Sequence, residues 1–218
     1  MHMPAIDKNN IENNKEMVPF EHYLSLYRNL NTEEAAVRTG VHFDKDKSCF
    51  EMRLLYDDYR LYWPEFRIES DNPDALALKG IPAQIFLIRF LLEGCASTGS
   101  GSFLPYREMP WGDVYLKPFT GRCLTRAAFT FGTRIEAFRA AGESTPAIPV
   151  KYGDAAFQIE VMPGYEIRLI VWEGDDEFPP NAQILFSDNF PQAFSAEDRT
   201  VTGDLVITEL KRKMAGRG

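Results

Sequence analysis

The sequence predicts an α+β fold, helices packed around short antiparallel β-strands with a hairpin in the C-terminal half, and three features of its patterning predict it. Apolar residues recur at helical spacing in some segments and at every second position in others. The two kinds of segment do not alternate strand by helix, which disfavours a doubly wound parallel sheet. The two best alternating runs, Phe157 to Val161 and Tyr165 to Val171, flank Met162-Pro163-Gly164, a turn sequence.

In chain order, Phe20, Tyr23, Leu24, Tyr27 and Leu30 share one face of a helix over 18–30. Thr32 is then an N-cap, Glu33 and Glu34 suit the first turn, and Gly40 ends the second helix. Phe50, Met52 and Leu54 alternate with polar residues, as do Tyr59, Leu61 and Trp63, with Tyr56-Asp57-Asp58 as the turn between them. Phe66 and Ile68 extend a third strand after Pro64. Pro82 to Gly94 is apolar on nearly every side despite Gln84 and Arg89, and is expected to be the buried, central helix. The Ser-, Thr- and Gly-rich stretch 95–103 is a loop, and helical spacing returns over 115–131. Thr133 and Glu136 form a capping box for a helix ending at Gly142, 181–186 reads as a short helical turn, and Ser195 with Asp198 caps a terminal helix through Leu210.

The chain has 218 residues, among them 16 Phe, 9 Tyr and 3 Trp, enough to build a core without staples and too many for general disorder. Residues 1–17 are polar and are expected to be a mobile leader, with 18–218 as a single domain. No stretch has the apolar core of a signal peptide or the length of a membrane span, so a cytoplasmic location is the expectation. A net charge of −8 repels phosphate backbones and anionic headgroups, which argues against nucleic-acid and membrane partners and leaves a protein or a small molecule. Cys49, Cys95 and Cys123 are scattered and carry no iron–sulfur or zinc motif; the cofactor is unknown, and the thiols read as core residues.

Few motifs carry chemistry. His2, His22 and His42 have no chelating spacing and no adjacent nucleophile motif. Gly99 and Gly101 lack the rest of a phosphate loop. Trp63, Trp111 and Trp172, with Tyr59, Tyr62, Tyr115 and Phe178, are aromatics available either to a flat ligand's pocket or to the core. The densest chemistry is Trp172-Glu173-Gly174-Asp175-Asp176-Glu177. With the hairpin turning at 162–164 and Val161 opposite Tyr165, an antiparallel ladder sets Asp154 opposite Trp172, so two Gly-Asp pairs meet at one end of the hairpin. Asp154, Asp175 and Glu177 are then candidate ligands for a hard divalent cation, with Asp176 or Glu173 as general base, or else these residues cap the turn.

The segment from Gly153-Asp154 through IRLIVWEGDDEFPPNAQILFSDNFPQAFSAEDRTVTGDLVITEL, with RTGVHFD, FEMRLLYDDYRLYWP and QIFLIRFLLEG upstream, resembles an uncharacterised prokaryotic family, domain of unknown function 3786. The most specific element is W-x-G-D-x-E-F-P followed by I-L-F. The resemblance implies a single cytoplasmic domain, in some members joined to a cysteine-rich iron–sulfur segment similar to corrinoid methyl-transfer proteins. This chain departs from that arrangement in its three scattered cysteines, and from the family pattern in having Ser187 where an aspartate is typical, with Asp188 next. The leading expectation is a non-enzymatic binding or accessory module, associated through the resemblance with one-carbon or corrinoid metabolism. A metal-dependent hydrolase built on the carboxylate cluster is the alternative, and an assembly protein is a third.

Overall fold

A computed structural model describes residues 8–216 and shows an α+β fold with two antiparallel sheets. Helix α1 (Lys8–Arg28) and α2 (Thr32–Thr39) precede a four-stranded sheet of β1 (His42–Asp44), β2 (Cys49–Leu54), β3 (Asp57–Tyr62) and β4 (Arg67–Glu69), in that spatial order. Helices α3 (Leu76–Lys79) and α4 (Ile81–Glu93) follow, then β5 (Phe103–Pro105), α5 (Gly112–Phe119), a π-helical segment over Thr120–Thr125, α6 (Arg126–Phe131) and α7 (Ile135–Glu143). The chain ends with β6 (Ile148–Pro149), β7 (Ala155–Met162), β8 (Tyr165–Trp172), β9 (Asn181–Ser187), α8 (Phe190–Ala193) and α9 (Ala196–Ala215). The second sheet runs β5-β9-β8-β7-β6. Among the described residues no helix is long and apolar enough to cross a membrane.

The first helix begins at Lys8, so residues 8–17, expected to be a leader, are helical; residues 1–7 lie outside the described residues. The cap of α2 is Asn31, one residue before the expected Thr32, because its side-chain oxygen reaches the amides of both Glu33 and Glu34 at 3.2 Å. The β2–β3 turn is Leu55-Tyr56, with Leu54 paired to Asp57; Asp57 and Asp58 are therefore in the strand. The Thr133 capping box does not form. The Thr133 hydroxyl donates to the Phe129 carbonyl at 3.0 Å, and α7 starts after Arg134.

The largest correction is 181–186, which is strand β9 and not a helical turn. Ala182, Ile184 and Phe186 are all buried, a period of two that a helix would break, and β9 pairs along β8 from Ile167–Phe186 to Trp172–Asn181. In the β7–β8 hairpin a bulge before Met162 puts Met162, not Val161, opposite Tyr165. Beyond the bulge the expected register holds, with Ala155 opposite Val171, which brings Asp154 beside Trp172.

The core is continuous between the sheets. Tyr27 of α1 packs edge-on to Phe66 at 5.7 Å over the first sheet, and its hydroxyl donates to the Leu61 and Tyr62 carbonyls. Between α4 and the second sheet, Phe194 stacks on Phe86 at 5.2 Å and on Phe90 at 5.5 Å, and meets Tyr165 edge-on. Helix α4 is buried as expected, but it is α9 that packs against α4, α5, α6, α7 and the π-helical segment. Gly203 permits this: a side chain there would come within 2.9 Å of Cys123 Sγ, which itself donates to the Thr200 carbonyl. Burial pushes the Cys123 thiol up to about 12.

The two polar residues that interrupt α4 have partners. Gln84 donates to the Ala77 carbonyl at 2.8 Å, and Arg89 holds Asp198 at the start of α9 through two hydrogen bonds of 2.7 and 3.0 Å. Arg89 also reaches Tyr23 of α1 and Glu93, while Asp198 completes the Ser195 capping box. The loop after α4 is pinned by buried Asn189, whose amide nitrogen donates to the Ser97 and Gly164 carbonyls and whose oxygen accepts from Ser187.

Replacing Asp198 by Asn keeps a capping acceptor but removes the more buried of the two carboxylates that hold Arg89, and is expected to lower stability by about 2 kcal/mol, read as the urea midpoint at constant slope. Gly142→Ala would drive a methyl group into the Phe157 ring across the α7–β7 contact. It is expected to cost about 1–3 kcal/mol, measured the same way against Gly121→Ala, where a side chain meets open space.

Candidate functional site

The expected cluster at the hairpin end is brought together in part. The Asp154 carboxylate accepts the Glu173 amide at 2.8 Å, and its own amide donates to Val171, so the two Gly-Asp segments do meet. Gly153 sits at φ 54, and a side chain there would meet the Val171 carbonyl at 2.7 Å. Asp175 closes the next turn: its carboxylate accepts the Glu177 and Phe178 amides at 2.8 and 2.7 Å, and its amide donates back to the Phe178 carbonyl. Those two amide donors hold the Asp175 carboxyl below the usual carboxylate range. Gly174 anchors the turn through its amide, which donates to Gly132 at 3.2 Å.

The carboxylates of the expected cluster differ in what they face. Among the described residues no group of three or more His, Cys, Asp or Glu side chains is arranged to hold a metal ion. Asp154 directs a carboxylate oxygen across the hairpin end at the Glu173 amide, and Asp175 directs one at the Glu177 and Phe178 amides of its own turn. Glu173, Asp176 and Glu177 are exposed around them, and Trp172 is 37% exposed at the strand end.

The other motifs separate in the same way. His22 and His42 are exposed on α1 and β1, and His2 lies outside the described residues. Cys49 and Cys123 are buried, as expected, and Cys95 is half-buried with its thiol directed to the Gln192 carbonyl. In the Gly99-x-Gly101 loop the Ser100 amide and hydroxyl both donate to Asp188, so the loop binds a carboxylate of its own chain. Those bonds hold the Asp188 carboxyl below its usual range.

The aromatic set is divided as well. Tyr59 is core and Trp63 donates to the Tyr27 carbonyl at 3.0 Å, both at the first sheet, while Trp172 and Phe178 are at the hairpin end. Trp111 and Tyr115, by contrast, stand together on a groove of about 600 Å³ between the start of α5 and the α8–α9 junction. Its walls are Pro110, Trp111, Val114 and Tyr115 on one side and Pro191, Phe194 and the first turn of α9 on the other. Trp111 is 73% exposed and Val114 69%. Trp111 also has φ 62, a left-handed conformation that costs a non-glycine residue about 1–2 kcal/mol. Gly112 permits the close turn that follows, since a side chain there would overlap the Tyr106 carbonyl, and the indole is left facing outward.

Beneath the groove lies a residue that the sequence reading missed. Arg199 also lines the groove and is only 1% exposed. One guanidinium nitrogen donates to the Pro110 carbonyl, and its carbon lies 5.5 Å from the centre of the Tyr106 ring. The Nε–H, fully buried, has no acceptor among the described residues. Burial lowers the Arg199 guanidinium from the ordinary arginine value, opposed by Tyr106 and Asp198. The nearest acidic neighbours are occupied, Asp198 by Arg89 and Glu197 by Arg122 at 2.7 Å.

The signal for Arg199 was legible. Ala196, Arg199, Gly203, Val206 and Leu210 fall at three- and four-residue steps on the buried face of α9, which makes arginine the odd member of an apolar stripe.

No curated protein matches this chain, and no solved structure does. The family model for the domain of unknown function DUF3786 matches residues 31–209, from the cap of α2 to the last turns of α9, and thus takes in both sheets, the hairpin end and the groove. The chain belongs to the DUF3786 family.

Proposed function

We propose that this protein is a binding module that takes a small apolar ligand in the groove between α5 and the α8–α9 junction. The observation that carries the reading is Trp111, a large aromatic side chain held outward in a strained backbone conformation over an apolar cleft. Strain of this kind is retained where the surrounding structure over-determines it, and it collects at ligand clamps. A groove of about 600 Å³ matches the size of a drug-like or metabolite-like molecule. Tyr115 and Phe194 supply further apolar surface, and the capped start of α9 gives the opposite wall a rigid base.

Asp154 and Asp175 have a structural role in this reading: they hold the segment entering β7 and the turn between β8 and β9. Association with one-carbon or corrinoid metabolism is implied by the family resemblance alone; a whole cobalamin exceeds a groove of this size, so the panel holds aromatic and aliphatic compounds of metabolite size. The cytoplasmic location belongs to the same proposal.

The test is thermal unfolding of the full chain across such a panel, since a compound that binds only the folded state raises its midpoint. Trp111→Gly relieves the backbone strain and removes the aromatic wall. It is expected to leave stability unchanged or raise it by about 1 kcal/mol, while abolishing the ligand-induced shift. Equal shifts in wild type and Trp111→Gly would show binding elsewhere and sink the groove reading.

A further inference from the structure

We propose that Arg199 makes this groove selective for an apolar carboxylate, an aryl- or alkyl-carboxylic acid whose head group meets the guanidinium while its body lies along Trp111 and Tyr115. The inference rests on the groove being a ligand site and adds the chemistry of what it holds.

An arginine in a folded protein keeps its charge, and a buried charge is stabilised by pairing and by hydrogen bonds to every donor. Arg199 falls short on both counts. Its one hydrogen-bond acceptor among the described residues is the Pro110 carbonyl, its Nε–H is unsatisfied, and no carboxylate of the described residues forms an ion pair with it. The aromatic face of Tyr106 offsets part of the cost. A planar carboxylate is the shape that accepts from adjacent donors of a guanidinium fork, and in a low-dielectric cleft such a pair is worth more than at the surface.

The surroundings favour an anion over a neutral group. One wall of the groove is the first turn of α9, a helix of 20 residues whose N-terminal end carries partial positive charge, part of it already taken up by the Ser195–Asp198 capping box. The one carboxylate on the wall, Glu197, is held by Arg122, and Asp198 is held by Arg89; among the described residues neither forms an ion pair with Arg199, although the Asp198 charge acts on it from a distance. The rest of the lining is mostly apolar, from Pro110, Val114, Pro191 and Phe194, which selects a ligand with one charged end and a hydrocarbon body.

The experiment compares 2-naphthoate with its neutral isostere 2-naphthamide by calorimetric titration of the full chain. Wild type is expected to bind the acid at least about tenfold more tightly than the amide, the scale of a charged hydrogen bond. Arg199→Met is expected to bring the two affinities together while retaining amide binding, and Trp111→Ala to weaken both. Equal affinities for acid and amide in wild type would overturn the carboxylate assignment and leave the groove standing. Binding of both compounds undisturbed by Trp111→Ala would instead overturn the groove itself, and the carboxylate assignment with it. If Arg199→Met does not fold, the wild-type comparison decides alone, supported by titration of the acid at rising salt. Affinity that falls little with salt marks a buried pair; the steep fall of an exposed one overturns the assignment.

Discussion

The fold depends on where α9 begins, and one ion pair decides that. Arg89 projects from an otherwise apolar helix, and its two hydrogen bonds to Asp198 are made at the position where α9 has to be capped. The same carboxylate closes the capping box with Ser195, and the same guanidinium reaches Tyr23 on α1, so three helices are located by one shared charge. Phe194, the residue before the cap, is thereby set into the aromatic stack of Phe86, Phe90 and Tyr165 that joins α4 to the second sheet. Arg199 is one turn further along and inherits its place under the groove from that start.

How much of this could be read in the residues depended on whether the deciding interaction was local. The β7–β8 hairpin could be paired almost to the residue, since alternation and a Pro-Gly turn are both short-range signals, and only the bulge at Met162 escaped. Strand β9 was misread because Leu185 beside Ile184 and Phe186 fills in the alternation and leaves a short apolar run, which suits helix and strand alike. The capping box at Ser195 formed and the one at Thr133 did not, although both fit the same pattern. The difference is tertiary, for Asp198 has Arg89 as a partner, while the Thr133 hydroxyl turns back to Phe129.

The two candidate sites show the same division. The meeting of Asp154 with the Glu173-Gly174-Asp175 turn followed from register alone, yet its chemistry did not, because two of the carboxylates drawn together there, Asp154 and Asp175, are engaged by backbone amides. The groove needed the reverse. Trp111 and Tyr115 stood out by residue type, but their shared wall is created by a backbone reversal at Gly112 and by the arrival of α8 and α9 from far along the chain. An arginine on a buried helix face was visible as an anomaly; that its Nε–H finds no acceptor among the described residues becomes apparent only with the neighbours in place.

Asn189 sits where three segments cross, its two N–H donors aimed at two carbonyl oxygens and its oxygen taking the Ser187 hydroxyl. An aspartate has nearly the same shape and the opposite polarity at two of those three contacts, since an ionised carboxylate only accepts. Hydrolysis of this one amide would therefore turn a clasp into a repulsion between lone pairs without altering the size of any group. Its burial is at once what makes the contact strong and what keeps water from the bond, so the chemical lifetime of the loop 95–102 is tied to how seldom that corner opens.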